Sequence, residues 1–379
     1  MEKYRLMVVD DSRFITAVLS STLRKAGYHV RGYFDAESAI KDIPSFKPHM
    51  ILSDFMMPKM NGFEFCKEIK ENEKTSHIKF ILITSVNDVN AKVKCFDVGA
   101  DDYITKPFNN KEVIARVKTH LSIKQLQDDL SEALSKIERE LEIVGSIQKN
   151  LLPSENPHLE NLIFESYYNT YSKSGGDYFD FIKIDENHMG VLIVDVSGHG
   201  TSSTVIMAML KILITKLLNR INNPSEVLNK LNDLILEMLN IDKFATIFYG
   251  IINLDSLSFI YANAAHPEPI VINKFSKKIV TLSGKKGLPV GILPFATGTY
   301  SNTSTNFEKG DRVILYTDGI IENKDNERNL YGEERFLNII METIELEIGE
   351  AKEKIIENVL SFSDNIFYDD ITMVMFDVV

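Results

Sequence analysis

Cysteine is scarce in this 379-residue chain: Cys66 and Cys95 are the only two, and neither has a Cys/His partner at ligand spacing, which excludes a disulfide scaffold and a structural zinc site. An excess of basic charge is also missing. The 42 Lys and Arg stand against 54 Asp and Glu, and the net charge of −12 argues against a nucleic-acid surface as the main feature. Long uninterrupted apolar runs are absent too. Leu6 to Val9 is too short for a signal-peptide core, and the most apolar long stretch, Val205 to Leu218, is interrupted by Lys211 and Lys216, so a cytoplasmic protein without a membrane span is expected. No internal repeat or low-complexity segment is visible. What is there, 44% hydrophobic and 25% charged, is the composition of a globular protein, and at about 150 residues per domain the length predicts two or three domains.

The acidity is unevenly placed. Residues 1–120 carry 19 basic and 16 acidic side chains, 121–153 carry 4 and 6, and 154–379 carry 19 and 32, for nets of +3, −2 and −13. Such asymmetry predicts modules with different work, divided at those boundaries.

In residues 1–120, short apolar runs alternate with amphipathic stretches, the pattern of an α/β fold with a parallel sheet. Asp10 and Asp11 follow LMVV, Asp54 follows MILS, Thr84 follows FILI and Lys106 follows DYIT. Each polar residue thus falls at the carboxyl end of an apolar strand, where open parallel sheets bind ligands. Three carboxylates together repel unless a hard cation joins them, and oxygen-only ligands suit Mg²⁺. Lys106 supplies a point charge and Thr84 a hydroxyl donor for a phosphoryl group carried on a carboxylate.

The motifs MVVDDS, SDFMMPKMNGFE, ILITS and YITKPF resemble those of the response-regulator receiver domain of two-component signalling. The resemblance implies a flavodoxin-like fold with a five-stranded parallel sheet, Asp54 as phosphoacceptor and Asp10, Asp11 and Asp54 as Mg²⁺ ligands. It further implies Lys106 as phosphate contact, Thr84 with Tyr103 as switch pair, and a histidine kinase or phosphotransfer protein as partner.

Between 111 and 152 only Gly145 interrupts a sequence whose apolar residues recur at seven: Ile123, Leu130, Ile137, Val144 and Leu151, with Leu134 and Leu141 between them. Gln127 and Gln148 are polar exceptions. This predicts a long coiled-coil helix that pairs the chain with a second copy through residues 111–152, ended by Pro153; the alternative is one surface helix packed on its own domain.

Residues 154–379 predict an α+β domain, an antiparallel β-sandwich flanked by helices. Strands are expected at 163–169, 178–184, 189–195, 244–253, 257–263, 312–317 and 371–378, and helices near 202–220, 225–240, 333–343 and 350–362. Asp177 lies in SGGDYFDF, Asp195 in VLIVDVSGHG, Asp318 in RVILYTDGIIE, and Asp369 and Asp370 in YDDITMVMF. Three of these segments set a charge against a strongly apolar strand, and no basic partner recurs, so divalent metal is the simplest compensation, Mg²⁺ or Mn²⁺ rather than zinc. Two such ions would bind a phosphate ester and activate a water for in-line hydrolysis.

These segments resemble the PP2C-type serine/threonine phosphatases, specifically the stage II sporulation protein E and stress-phosphatase branch, and GSIQKNLLP is similar to the helix end that leads into that domain. The resemblance implies that Asp195 bridges two Mn²⁺ or Mg²⁺ ions, that the Val196 carbonyl binds one, and that Asp177, Asp318 and Asp369, with Asp370 beside it, complete the set; Asp195, Asp318 and Asp177 are then the catalytic residues. It implies a phosphorylated anti-anti-sigma factor of the STAS fold as substrate. TSST stands where that branch has small alanines, and Ala265-His266-Pro267 where a Gly-His-x-Pro turn is common. His199 and His266 read as turn-stabilising, and Lys173 as a solvated loop residue. The function expected is therefore a response regulator whose output is metal-dependent protein dephosphorylation under control of Asp54, with no DNA or membrane partner. A catalytically silent adaptor is the alternative. GGDYF also resembles the turn of diguanylate cyclases, yet Tyr178 stands where that family needs a second acid. Two metals would bring the −13 of the output module nearer −9, still favouring a basic substrate face.

Overall fold

The computed structural model describes residues 4–85, 95–198, 200–218, 222–238, 243–292 and 300–379. They form two compact units, residues 1–136 and 137–379, whose boundary falls inside one long helix.

The first unit is a parallel sheet of β1 (Arg5–Val9), β2 (His29–Tyr33), β3 (Met50–Asp54), β4 (Lys79–Thr84) and β5 (Asp102–Thr105), in the order β2-β1-β3-β4-β5. Strands β1, β3 and β4 are nearly continuous apolar runs because each buries both faces, one against Phe65, Phe46 and Ala39, the other against Leu19, Val113 and Val117. Helices α1 (Arg13–Lys25), α2 (Ala36–Phe46) and α3 (Gly62–Glu71) begin on side chains that satisfy their open amides: Ser12, Asp35, and an Asn61–Glu64 capping box. The fold is the five-stranded parallel one expected, with the order reversing between β1 and β3, where a crevice opens.

Helix α4 runs Asn110–Leu151, within a residue of the expected span. Its heptad positions divide into two groups. Ile123, Leu130, Leu134 and Ile137 are exposed, whereas Leu141 and Val144 are partly covered and Gly145 and Gln148 are buried.

The second unit has four layers. One sheet orders β13 (Lys286–Gly287), β10 (Ser258–Ala264), β9 (Ala245–Asn253), β8 (His188–Val196) and β7 (Tyr178–Lys183), with β14 (Thr303–Asn306) on β10. The other orders β12 (Ile279–Thr281), β11 (Ile270–Asn273), β15 (Asp311–Tyr316), β16 (Ile371–Val378) and β6 (Leu162–Asn169). Helices α5 (Thr201–Leu218) and α6 (Pro224–Met238) cover the first sheet, and α7 (Gly332–Glu342) and α8 (Ile348–Phe362) the second. Helix α5, the one described helix long and apolar enough to cross a membrane, is here a core helix: Ile206, Met207, Leu210 and Ile214 pack on the sheet.

Strand alternation fixes which side chains meet. In β8, Leu192, Val194 and Val196 face the helices while Val191 and Ile193 face the opposing sheet; in β16, Met373 and Met375 face helices while Val374 and Phe376 point inward. All seven expected strands and four expected helices are present. The short strands β11 to β14 were not foreseen.

Candidate functional site

At the crevice of the first unit, Asp10, Asp11 and Asp54 bring oxygens within 4.8 Å of one another, the one such group among the described residues. Asp10 is fully buried; its Oδ1 accepts from the Ser12 amide at 2.9 Å, and its Oδ2 lies 2.9 Å from Lys106 Nζ. Lys106 also reaches Asp54 Oδ1 at 2.8 Å. Burial pushes the Asp54 carboxyl above its ordinary value, against the pull of Lys106. One ammonium thus balances two of three carboxylates, and the remaining oxygens fit a hard divalent cation. Thr84 is buried at the end of β4, and the Tyr103 ring meets Phe96 edge-on at 5.9 Å. The five expected positions therefore share one end of one sheet.

In the second unit the same parity that builds the sandwich builds the site. Asp177 and Asp195 continue the inward-facing rows of β7 and β8, and Thr317 and Thr372 those of β15 and β16, so all four converge at one end between the sheets. Asp177 is buried, and its Oδ2 accepts from Thr317 Oγ1 at 2.8 Å and Thr372 Oγ1 at 2.6 Å. Burial, then Asp195 and Asp370, push its carboxyl well above the usual range despite those donors. The Asp195 carboxyl is pushed up to about 7 by burial, then by Asp318, Asp369, Asp370 and Glu322. For Asp318 the value is about 6, from burial, then Glu322 and Asp369. Burial and neighbouring carboxylates raise these groups together; no three described acidic side chains of this unit bring oxygens within 4.8 Å of one another, but donors that are all oxygen suit Mg²⁺ or Mn²⁺.

The backbone is drawn equally tight. A Cβ on Gly319 would fall 2.0 Å from the Asp370 carbonyl, so only glycine lets the loop after Asp318 cross Asp369–Asp370. Asp370 points away from that crossing: its Oδ1 accepts from the Tyr171 amide at 2.9 Å and its Oδ2 from the Gly176 amide at 2.7 Å. Asp369 is exposed, and the Val196 carbonyl faces Gly176.

Several contributors escaped sequence reading. Thr317 and Thr372 read as ordinary β-formers, and Glu322, four residues after Asp318, carries no sequence sign of the repulsion it exerts on Asp195 and Asp318. Gln148, read as a polar exception, is 1% exposed, accepts from the Gly175 amide at 2.9 Å, and donates to the Gly175 carbonyl at 2.9 Å and the Tyr168 hydroxyl at 2.6 Å. The TSST departure also has a use: Thr204 Oγ1 donates to the Gly175 carbonyl at 2.9 Å and Ser203 Oγ to the Gly198 carbonyl at 2.8 Å. Lys173 pairs with Glu142 at 3.2 Å. His266 is fully buried, its Nδ1 2.7 Å from Thr246 Oγ1, and burial pushes it down to about 3, the behaviour of a neutral turn residue. His199 lies outside the described residues. Beside Asp318 a cavity of about 490 Å³ opens, walled by Tyr316, Ile321 and Phe336 and rimmed by Glu268, Glu333 and Lys286.

Comparison with known proteins agrees with this geometry. Residues 185–379 match the model of stage II sporulation protein E, and residues 6–118 that of the response regulator receiver domain. The phosphoserine phosphatase RsbU of Bacillus subtilis is 28% identical over 239 residues, covering 63% of this chain and 70% of that protein. The DNA-binding dual master transcriptional regulator RpaA of Synechocystis is 35% identical over 117 residues, 31% of this chain; the chain spans about half the length of such curated receiver relatives, 48% in this case. The SiaA PP2C domain of Pseudomonas aeruginosa shares the fold, with a TM-score of 0.57 at 18% identity over 65% of this chain and 98% of that one. With a matched model over more than half its length, the chain belongs to the stage II sporulation protein E family of PP2C-type phosphatase domains, joined here to a response-regulator receiver.

Proposed function

We propose that the chain is a response regulator whose output is hydrolysis of phosphoserine or phosphothreonine on a partner protein. The observation that carries this reading is the convergence of Asp177, Asp195, Asp318 and Asp369 at one end of the sandwich, where burial first, then neighbouring carboxylates (Asp318 and Asp369 for Asp195, Glu322 and Asp369 for Asp318), raise the carboxyls toward neutrality. Two divalent cations held there would supply Lewis acidity toward the phosphoryl oxygens and lower the pKa of an attacking water. Asp195, placed among Asp177, Asp318 and Asp369, would be a ligand, with the Val196 carbonyl beside it as a further donor. Asp369 would serve as a ligand, whereas Asp370, with both oxygens taken by backbone amides, holds the Tyr171–Gly176 loop. Thr317 and Thr372 keep Asp177 oriented. The cavity beside Asp318 seats the residues flanking the phosphoserine, and its two glutamates favour a basic contact.

The input is phosphorylation of Asp54, with Mg²⁺ on Asp10, Asp11 and Asp54 and a histidine kinase or phosphotransfer protein as donor. Helix α4 carries the signal, because Gln148 near its end grips the Gly175 peptide two residues before Asp177. The likeness to the phosphoserine phosphatase RsbU supports a phosphorylated STAS-type anti-anti-sigma factor as substrate, and the exposed seam from Ile123 to Ile137 supports pairing with a second copy. Release of inorganic phosphate from a phosphoserine protein should require Mn²⁺ or Mg²⁺ and stop on chelation. It should also be lost in Asp195→Ala; undiminished release by that variant would sink the metal mechanism.

A further inference from the structure

A second cavity, about 560 Å³, lies in the first unit, lined by none of Asp10, Asp11, Asp54 and Lys106, and its walls are basic. Arg5, Lys47, Lys74 and Lys124 bring four cationic side chains to it, and His49 and His77 add two imidazoles. Asp128 is the one carboxylate in the lining, and it is already engaged by Lys124 at 3.1 Å. Lys124 itself is only 8% exposed, so this ammonium has left most of its hydration for a single half-exposed partner. Among the described residues the Lys47 and Lys74 ammoniums make no ion pair.

The hydrogen-bond polarity of the walls is equally one-sided. The Arg5 amide donates to His49 Nδ1 at 3.0 Å, which leaves the proton of a neutral His49 on Nε2, as a donor. Arg5 Nε is spent on the Lys47 carbonyl at 2.8 Å, while its two terminal nitrogens remain as donors. Burial, then Arg5 and Lys124, hold His49 below its ordinary value, and burial with Lys124 does the same to His77. The floor is apolar, from Ile43, Pro44, Pro48 and Ile78. A pocket of this size falls within the range of about 300–1,000 Å³ that holds small ligands. Donors on the walls with almost no acceptors select an acceptor-rich anion of several charges, and the apolar floor suits a flat ring attached to it.

We propose that this cavity binds a small, multiply charged phosphate compound, a nucleotide or a short polyphosphate, between the start of strand β1 at Arg5, the loops at Lys47 and Lys74, and helix α4 at Lys124. Such an occupant would add its charge to that of Asp128 around Lys124 and tie the first half of helix α4 to the sheet, giving the first unit a ligand input separate from Asp54.

Calorimetric titration of the full chain in chelator, which removes metal-dependent binding elsewhere, tests this with sodium tripolyphosphate, ATP and adenosine. Tripolyphosphate and ATP should each saturate at one per chain, and adenosine should give no binding. Tighter binding of ATP identifies a nucleotide site, and equal affinities a site for the phosphate chain. Lys74→Glu and Lys124→Gln should each weaken binding by about tenfold or more, through loss of a charge contact. Phosphorylation of Asp54 by acetyl phosphate should be unchanged in Lys74→Glu, a fold control. No saturation up to about 1 mM, or affinities unaltered by both substitutions, would overturn the proposal.

Discussion

At the scale of single residues, the two sites rest on side chains whose neighbours leave them little choice. Gln148 closes three hydrogen bonds, two of them with the Gly175 peptide. In Gln148→Leu the Gly175 amide loses its acceptor in a buried place, which costs about 1–3 kcal/mol. At about 2–4 °C per kcal/mol for a domain of this size, thermal unfolding of the second unit should begin several degrees lower; an unchanged midpoint would remove the clamp. Asp101 offers a test in acid. Burial raises its carboxyl, but hydrogen bonds from Lys70, Lys79 and the Phe80 amide outweigh that and leave it below the ordinary value. A depressed carboxyl contributes stability that is complete above its unfolded value of about 3.9 and lost as pH falls through the folded one. Urea midpoints of the wild-type receiver should therefore fall below about pH 4, and Asp101→Asn should reduce that slope. The aspartates were legible in the sequence because they stand at one end or the other of apolar runs, Asp10, Asp54 and Asp195 after them and Asp177 and Asp370 before them. Thr317, Thr372 and Gln148 were not, since a threonine in a strand and a glutamine in a helix carry no sign of the partner that folding brings to them.

At the scale of elements, helix α4 changes character along its length. Around Ile123 to Ile137 its apolar seam is exposed, as a pairing helix requires, while Gly145 and Gln148 are buried in the second unit. Gly145→Ala sets two effects against each other. Helix propensity favours alanine by about 1 kcal/mol, yet the new Cβ would lie 2.0 Å from the Lys173 carbonyl. Backbone cannot yield as a side-chain tip can, so the contact should win and the variant should melt below wild type; a rise would show that the loop moves freely. Leu130→Glu with Leu134→Glu should convert a dimer to a monomer in sedimentation while leaving the melting of both units within a degree or two, since these positions touch little within the chain. Periodicity exposed the long strands and helices to within about two residues, because each carries several alternations or turns. Strands β11 to β14, of four residues or fewer, carry too few, and all but β12, which pairs with the adjacent β11, find partners far away in sequence.

At the scale of the whole molecule, the charge divides as the chemistry does. The near-neutral receiver segment holds a carboxylate trio balanced by Lys106, and the −13 of residues 154–379 includes the carboxylates that raise one another around Asp195. An acidic output module meeting a basic substrate face should turn over less efficiently as salt rises, through the encounter rather than the chemical step, so kcat/KM should fall while kcat holds. In the proposed function, phosphorylation of Asp54 in the receiver sets hydrolysis in the second unit. The most direct measurement is the initial rate of phosphate release from a phosphoserine substrate in Mn²⁺, with and without acetyl phosphate, for the wild type and Asp54→Asn. The account predicts a rate that changes on phosphorylation of the wild type and stays constant in Asp54→Asn. Equal rates in the phosphorylated and unphosphorylated wild type would contradict it.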